Sequence, residues 1–157
     1  MSYDFNADEI FEMAKQMERN GAAFYRKAAE AATDEKNREM LLKLAEMEDE
    51  HEKTFTAMRT ELAGKEKEAT VFDPQDESIL YLRALVDTRV FFKKEIDVTS
   101  MKEIFKEALT AEKDSIVFYL GMKDMVPEKL GKTRLNDIIK EEMEHIKIIG
   151  KKLSAFK

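Results

Sequence analysis

Apolar residues recur along this chain at steps of three and four in four long stretches, the period of a helix that buries one side. In the first, Ile10, Ala14, Met17, Gly21, Phe24 and Ala28 form one lane, and Phe11, Glu18 and Tyr25 run beside it at intervals of seven. This predicts a helix from about Ala7 to Ala32, opened by Asn6 as N-cap with Glu9 three residues on. Thr33-Asp34 breaks the pattern and caps a second helix, from about Asp34 to Leu62, whose seam reads Leu41, Leu44, Glu48, His51, Phe55, Met58, Leu62. Ser100 with Glu103 opens a third, with Ile104, Ala108, Ala111, Ser115, Phe118 and Met122 in one lane and Phe105, Glu112 and Tyr119 in the other. Pro127-Glu128 opens the last segment, with an irregular turn at Gly131. Its seam reads Leu135, Ile138, Glu142, His145, Ile149, Lys152, Phe156.

The predicted fold class is all-α, a four-helix bundle in one domain spanning 1–157, with a long crossover at 63–99. Within the crossover, Gly64 begins a polar run, and Asp73-Pro74 starts a shorter helix through Ile79, Leu82, Leu85, Val86 and Val90 to about Lys94. Leu80, Phe91 and Phe92 broaden its apolar surface, so it either covers one end of the bundle or forms a homodimer contact. Residues 6–62 and 100–156 repeat one another. The differences 112 − 18, 119 − 25, 142 − 48 and 145 − 51 all equal 94, and Glu9, Ile10, Phe11, Ala14, Phe24, Leu41, Glu50 and Lys53 recur unchanged at that offset.

Composition narrows the chemistry. Five Gly and two Pro in 157 residues favour helix, and the absence of Cys excludes disulfides, thiolate zinc sites and iron–sulfur clusters. The net charge is −6 with Lys and Arg scattered, so no basic stripe invites nucleic acid. No apolar run is long enough to cross a bilayer, and the N-terminus lacks the regions of a signal peptide. A cytoplasmic protein without membrane contact is the expectation.

Against this background the polar seam residues stand out. The chain has two His, and each follows a Glu by three residues: Glu48-x-x-His51 and Glu142-x-x-His145. Each His lies 33 residues after a Glu on the preceding helix, Glu18 or Glu112 (51 − 18 and 145 − 112). Residues three apart share a helix face, so each pair offers a carboxylate and an imidazole to one place. Buried carboxylates are normally paired or metal-bound, and no inward Lys or Arg of matching number accompanies these. Four carboxylates balance two divalent cations, and four Glu with two His is the donor set of dinuclear iron or manganese sites in four-helix bundles. Iron suits such oxygen and nitrogen donors, as manganese does. If the first and third helices run antiparallel, Tyr25 and Tyr119 each hydrogen-bond the other helix's Glu; otherwise they are core residues with an edge hydroxyl.

In these residues the chain resembles the rubrerythrin-like branch of the ferritin superfamily, from Glu18 and Tyr25 through Glu142-x-x-His145. The resemblance implies an up-down-down-up bundle, the crossover joining the second and third helices. It implies two iron ions bridged by Glu48 and Glu142, with Glu18 and Glu112 as terminal ligands and His51 and His145 one on each metal. It further implies an oxidoreductase that oxidises Fe(II) or reduces peroxide or dioxygen. The alternatives are a non-catalytic iron-binding or delivery protein and a metal-free helical interaction module. Members of the branch usually append a cysteine-bearing rubredoxin domain; this chain has no Cys, so a separate electron donor protein is expected. They also carry a further Glu three residues after the third-helix ligand. Here that position is Ser115, with Gly21 as its repeat mate, and a nearly symmetric six-ligand site is expected.

Overall fold

Two polar side chains start helices where the apolar period begins. The Asp34 carboxylate accepts from the Lys36 backbone N–H at 2.9 Å, while the Asp34 carbonyl accepts from Arg38 at 3.0 Å. The Ser100 hydroxyl accepts from the Glu103 N–H at 3.3 Å, and its carbonyl from Ile104 at 3.0 Å. Each serves helix-end donors that have no partner within the helix. The computed structural model describes residues 7–62, 81, 82, 84, 100–123 and 132–156. Its long elements are α1 (Ala7–Ala31), α2 (Glu35–Leu62), α3 (Met101–Lys123) and α4 (Lys132–Ser154), and no strand occurs among the described residues. The Arg38 guanidinium reaches back to the carbonyls of Ala29 and Ala32, finishing α1 where α2 begins.

Pairs between helices fix their directions. On α1 and α2, Arg19 meets Glu52 at 2.5 Å, Arg26 meets Asp49 and Arg59 meets Glu12, so the two run antiparallel. Tyr25 bonds Glu112 and Tyr119 bonds Glu18, which sets α1 antiparallel to α3. His51 faces Glu142 and His145 faces Glu48, which sets α2 antiparallel to α4. The bundle is therefore up-down-down-up. Glu50–Lys53 and Glu144–Lys147 form the same 2.6 Å ion pair on the exposed sides of α2 and α4. Such pairs add only a few tenths of a kcal/mol each.

The seams bury as their period requires. One apolar cluster gathers Ile10, Phe11, Phe55, Met58, Phe118, Met122, Leu135 and Ile138 with their neighbours. The other gathers Phe24, Ala28, Leu41, Leu44, Ile104, Phe105, Ala108 and Ile149. All four helices contribute to both, and a fully buried Phe or Leu stabilises by about 1.5–3 kcal/mol. Tyr81 and Leu82 from the crossover close on α3 at Gly121, where an added Cβ would lie 2.5 Å from the Tyr81 ring and 3.0 Å from Leu82. Only a residue without a side chain admits that approach.

The fourth seam ends earlier than its period suggests. Ile149 is buried, but Lys152 is half-buried, and Phe156 lies beyond the helix end, 39% exposed, with its ring still 6.1 Å from Phe105. The Asn6 cap, the Pro127-Glu128 start, the turn at Gly131, the Leu62 side chain and all of the crossover segment except 81, 82 and 84, with its homodimer contact, lie outside the described residues. No described helix is long and apolar enough to cross a membrane.

Candidate metal centre

Between the two apolar clusters lies a layer of acids and imidazoles. Glu18, Glu48, His51, Glu112, Glu142 and His145 are all at most 2% exposed. Each occupies a seam position where Leu would otherwise pack, so each helix turns its polar side chain into the bundle axis. They form two overlapping groups. Glu18, Glu48, His51 and Glu142 bring one ligand atom apiece within 4.8 Å of one another, and so do Glu48, Glu112, Glu142 and His145. Glu48 and Glu142 belong to both.

The imidazoles face this layer through the same nitrogen. His51 Nδ1 lies 3.5 Å from Glu18, 3.5 Å from Glu48 and 3.2 Å from Glu142. His145 Nδ1 lies 3.4 Å from Glu48, 3.3 Å from Glu112 and 3.0 Å from Glu142. The rings stack across the axis, their centroids 5.9 Å apart and their planes inclined by 23°. The tyrosines cross over: the Tyr25 hydroxyl donates to Glu112 Oε1 and the Tyr119 hydroxyl to Glu18 Oε1. Buried Ser115 directs its hydroxyl to the Ala111 carbonyl at 3.0 Å, a bond within its own helix.

Crowding of charge decides the protonation of this layer. Burial, and then the charges of Glu142, Glu18 and Glu112, push the Glu48 carboxyl well above the usual range. Burial, then Glu112 and Glu18, does the same to Glu142. Burial also opposes charge on Glu112, but hydrogen bonds with Glu142 and His145 outweigh it and hold its carboxyl down at about 2. Glu18 is likewise lowered, by Glu48 and His51 against the opposing effect of burial. Burial disfavours the imidazolium forms, yet the surrounding carboxylates raise His145 to about 12 and raise His51 strongly. Burial and the neighbouring carboxylates raise both tyrosines, keeping each a donor.

The hydrogen bonds leave a telling remainder. The buried side-chain atoms without a hydrogen-bond partner among the described residues are Glu18 Oε2, Glu48 Oε1, His51 Nδ1, Glu142 Oε2 and His145 Nε2. All belong to the six-residue layer, and four of them are carboxylate oxygens or the inward imidazole nitrogen. A buried polar atom left unpaired costs about 1–3 kcal/mol. Cations seated between the groups would satisfy the four inward atoms, Glu18 Oε2, Glu48 Oε1, His51 Nδ1 and Glu142 Oε2, and the oxygen and nitrogen donors suit iron or manganese. The tyrosine bonds carry their own expectation. Tyr25→Phe should leave Glu112 Oε1 with only its longer contact to His145 Nδ1 and lower the stability of the folded protein by about 1 kcal/mol, measured by urea denaturation with unchanged helical circular dichroism.

One contact at the site escapes the seam pattern. His51 Nε2–H donates to Glu141 Oε2 at 2.6 Å, although Glu141 sits on the outward side of α4 with its side chain 53% exposed. A sequence signal exists, since Glu141 immediately precedes Glu142, but inward periodicity passes over it.

The family model described as Rubrerythrin matches residues 9–153. No curated protein and no solved structure matches the chain.

Proposed function

The chain belongs to the rubrerythrin family, and from that premise we propose that its buried layer holds two iron ions and works as an oxidoreductase, oxidising Fe(II) or reducing peroxide or dioxygen. The observation that carries the reading is the overlap of two four-residue groups through Glu48 and Glu142. Glu48 and Glu142 would each help to hold both ions of a pair. When bound, the pair would supply two electrons at one place, which neither Glu nor His can do alone.

The chain's own residues set the conditions. Glu18, Glu48, Glu112 and Glu142 bring four negative charges, which two divalent cations cancel in a medium that tolerates little net charge. Tyr119 holds one oxygen of Glu18 and leaves the other, Oε2, free for a ligand bond. Tyr25 anchors Glu112 in the same manner. Phe11, Phe55 and Phe118 on one side, and Phe24 and Phe105 on the other, keep bulk water from the layer. At the position of the family's additional carboxylate, Ser115 turns its hydroxyl to its own helix, so the donor set remains at the six residues above. A separate electron donor protein completes the reading.

Anaerobic loading with Fe(II), followed by peroxide or air in the presence of a reductant, tests it. Uptake of two iron ions per chain and repeated turnover of the oxidant are expected. A single stoichiometric oxidation would instead make this an iron-binding protein without turnover. Uptake of only traces of iron and manganese would end the metal reading altogether.

A further inference from the structure

The two halves of the layer match in their tyrosine bonds; on the inward side His145 Nδ1 meets Glu112 Oε1 at 3.3 Å while His51 Nδ1 has no hydrogen-bond partner among the described residues, and a second difference lies behind the imidazoles. Tyr25 and Tyr119 treat Glu112 and Glu18 identically, and both His present Nδ1 inward. His51 Nε2 is held by Glu141 at 2.6 Å, whereas His145 Nε2 is buried with no hydrogen-bond partner among the described residues. The repeat explains the difference. Glu141 of α4 faces His51 of α2, so the equivalent partner for His145 would come from α2 at 141 − 94 = 47, and that residue is Met47. A thioether is a weak acceptor and carries no charge.

We propose that Glu141 is a positioning residue that orients His51, so that the metal position built from Glu18, Glu48, His51 and Glu142 fills before the one built from Glu48, Glu112, Glu142 and His145. This rests on the metal reading above. For Nδ1 to ligate, the ring proton must sit on Nε2. Glu141 accepts that proton and fixes both the tautomer and the ring plane, and a carboxylate behind a ligating imidazole raises its basicity. At His145 the same tautomer leaves a buried N–H with no acceptor among the described residues, so ligation there carries an added cost. Losing such a supporting carboxylate typically weakens metal binding about 10- to 100-fold.

Stepwise titration of the metal-free full chain with cobalt(II), followed by visible absorption and calorimetry, reads each position as a separate step. The wild type should bind two ions in steps separated by about 10- to 100-fold. In Glu141→Met, which copies Met47, the first step should weaken by that factor and merge with the second. Glu141→Gln keeps an acceptor oxygen for the N–H and should fall between them. Glu141 is half-exposed, so neither change disturbs the apolar clusters, and helical circular dichroism should be unaltered. A first step as tight in Glu141→Met as in the wild type would overturn the positioning role while leaving the metal reading standing. Failure of the wild type to take up any ion would overturn both.

Discussion

Glu142→Ala should empty both metal positions at once. Its carboxylate belongs to each of the two groups, whereas Glu18 and Glu112 belong to one apiece. Removing Glu142 therefore takes a charge and a donor from both sites, and neither ion keeps a full set. Metal analysis of the purified variant should fall from two ions per chain to well below one. Glu112→Ala, by contrast, should retain the ion on the His51 side. Glu48→Ala should behave as Glu142→Ala does, because it holds the equivalent place on α2. If Glu142→Ala and Glu48→Ala both kept the metal content of the wild type, the layer would be a metal-free polar core, and the chain a helical interaction module.

Metal loading should release protons and become steeply tighter as the pH rises. Without ions, burial and like charge keep protons on Glu48 and Glu142, and the carboxylates keep them on His51 and His145. Ligation needs all four groups deprotonated, so filling both positions should expel up to about four protons. The product of the two binding constants should then fall by as much as about four decades per pH unit on acidification. Calorimetry in buffers of differing ionisation heat would count those protons.

The stability of the metal-free protein should move the other way. Glu48 and Glu142 are raised, so their contribution is present below the ordinary carboxyl range and is lost as the pH climbs through their folded values. His145 is raised from 6.5 to about 12, so its contribution is complete below 6.5 and disappears on the way to about 12. Glu112, lowered from 4.5 to about 2, contributes above 4.5 and loses that contribution as the pH falls toward 2. The metal-free fold should thus be most stable on the mildly acidic side and weaken through neutrality. Each position should add about 2.7 kcal/mol when the free ion stands a hundredfold above its dissociation constant, and at a fixed ion concentration that gain widens as the pH rises and vanishes on chelation. Thermal melts with and without chelator across that range measure it.

Much of this interior was legible because burial imposes a strict period. A seam that steps by three and four must face the axis, so Glu48, His51, Glu142 and His145 could be placed beside Leu44 and Ile138 before any coordinates. The crossing of Tyr25 and Tyr119 depended on helix direction, which periodicity leaves open and the bundle supplies. Glu141 was harder to see because its role comes from the far side of a partner's ring. A half-exposed acid on a charged helix looks like any other until the His51 ring is placed against it. Phe156 looked like the end of a seam, but a helix that stops at Ser154 cannot carry its period two residues further.

Both oily clusters draw on all four helices, one from the outer ends of α1 and α4 and the other from their opposite ends. A lone hairpin, α1 with α2 or α3 with α4, owns only one wall of each cluster and half of the acids and imidazoles. Neither hairpin can shelter its apolar wall until the other docks, so the two must meet before either interior closes. Since the hairpins match at a constant offset, each meets in the other nearly the surface it would meet in its own twin. The interior has the symmetry of a self-associating hairpin joined to its copy, and Met47 at the repeat position of Glu141 marks where the two copies have parted ways.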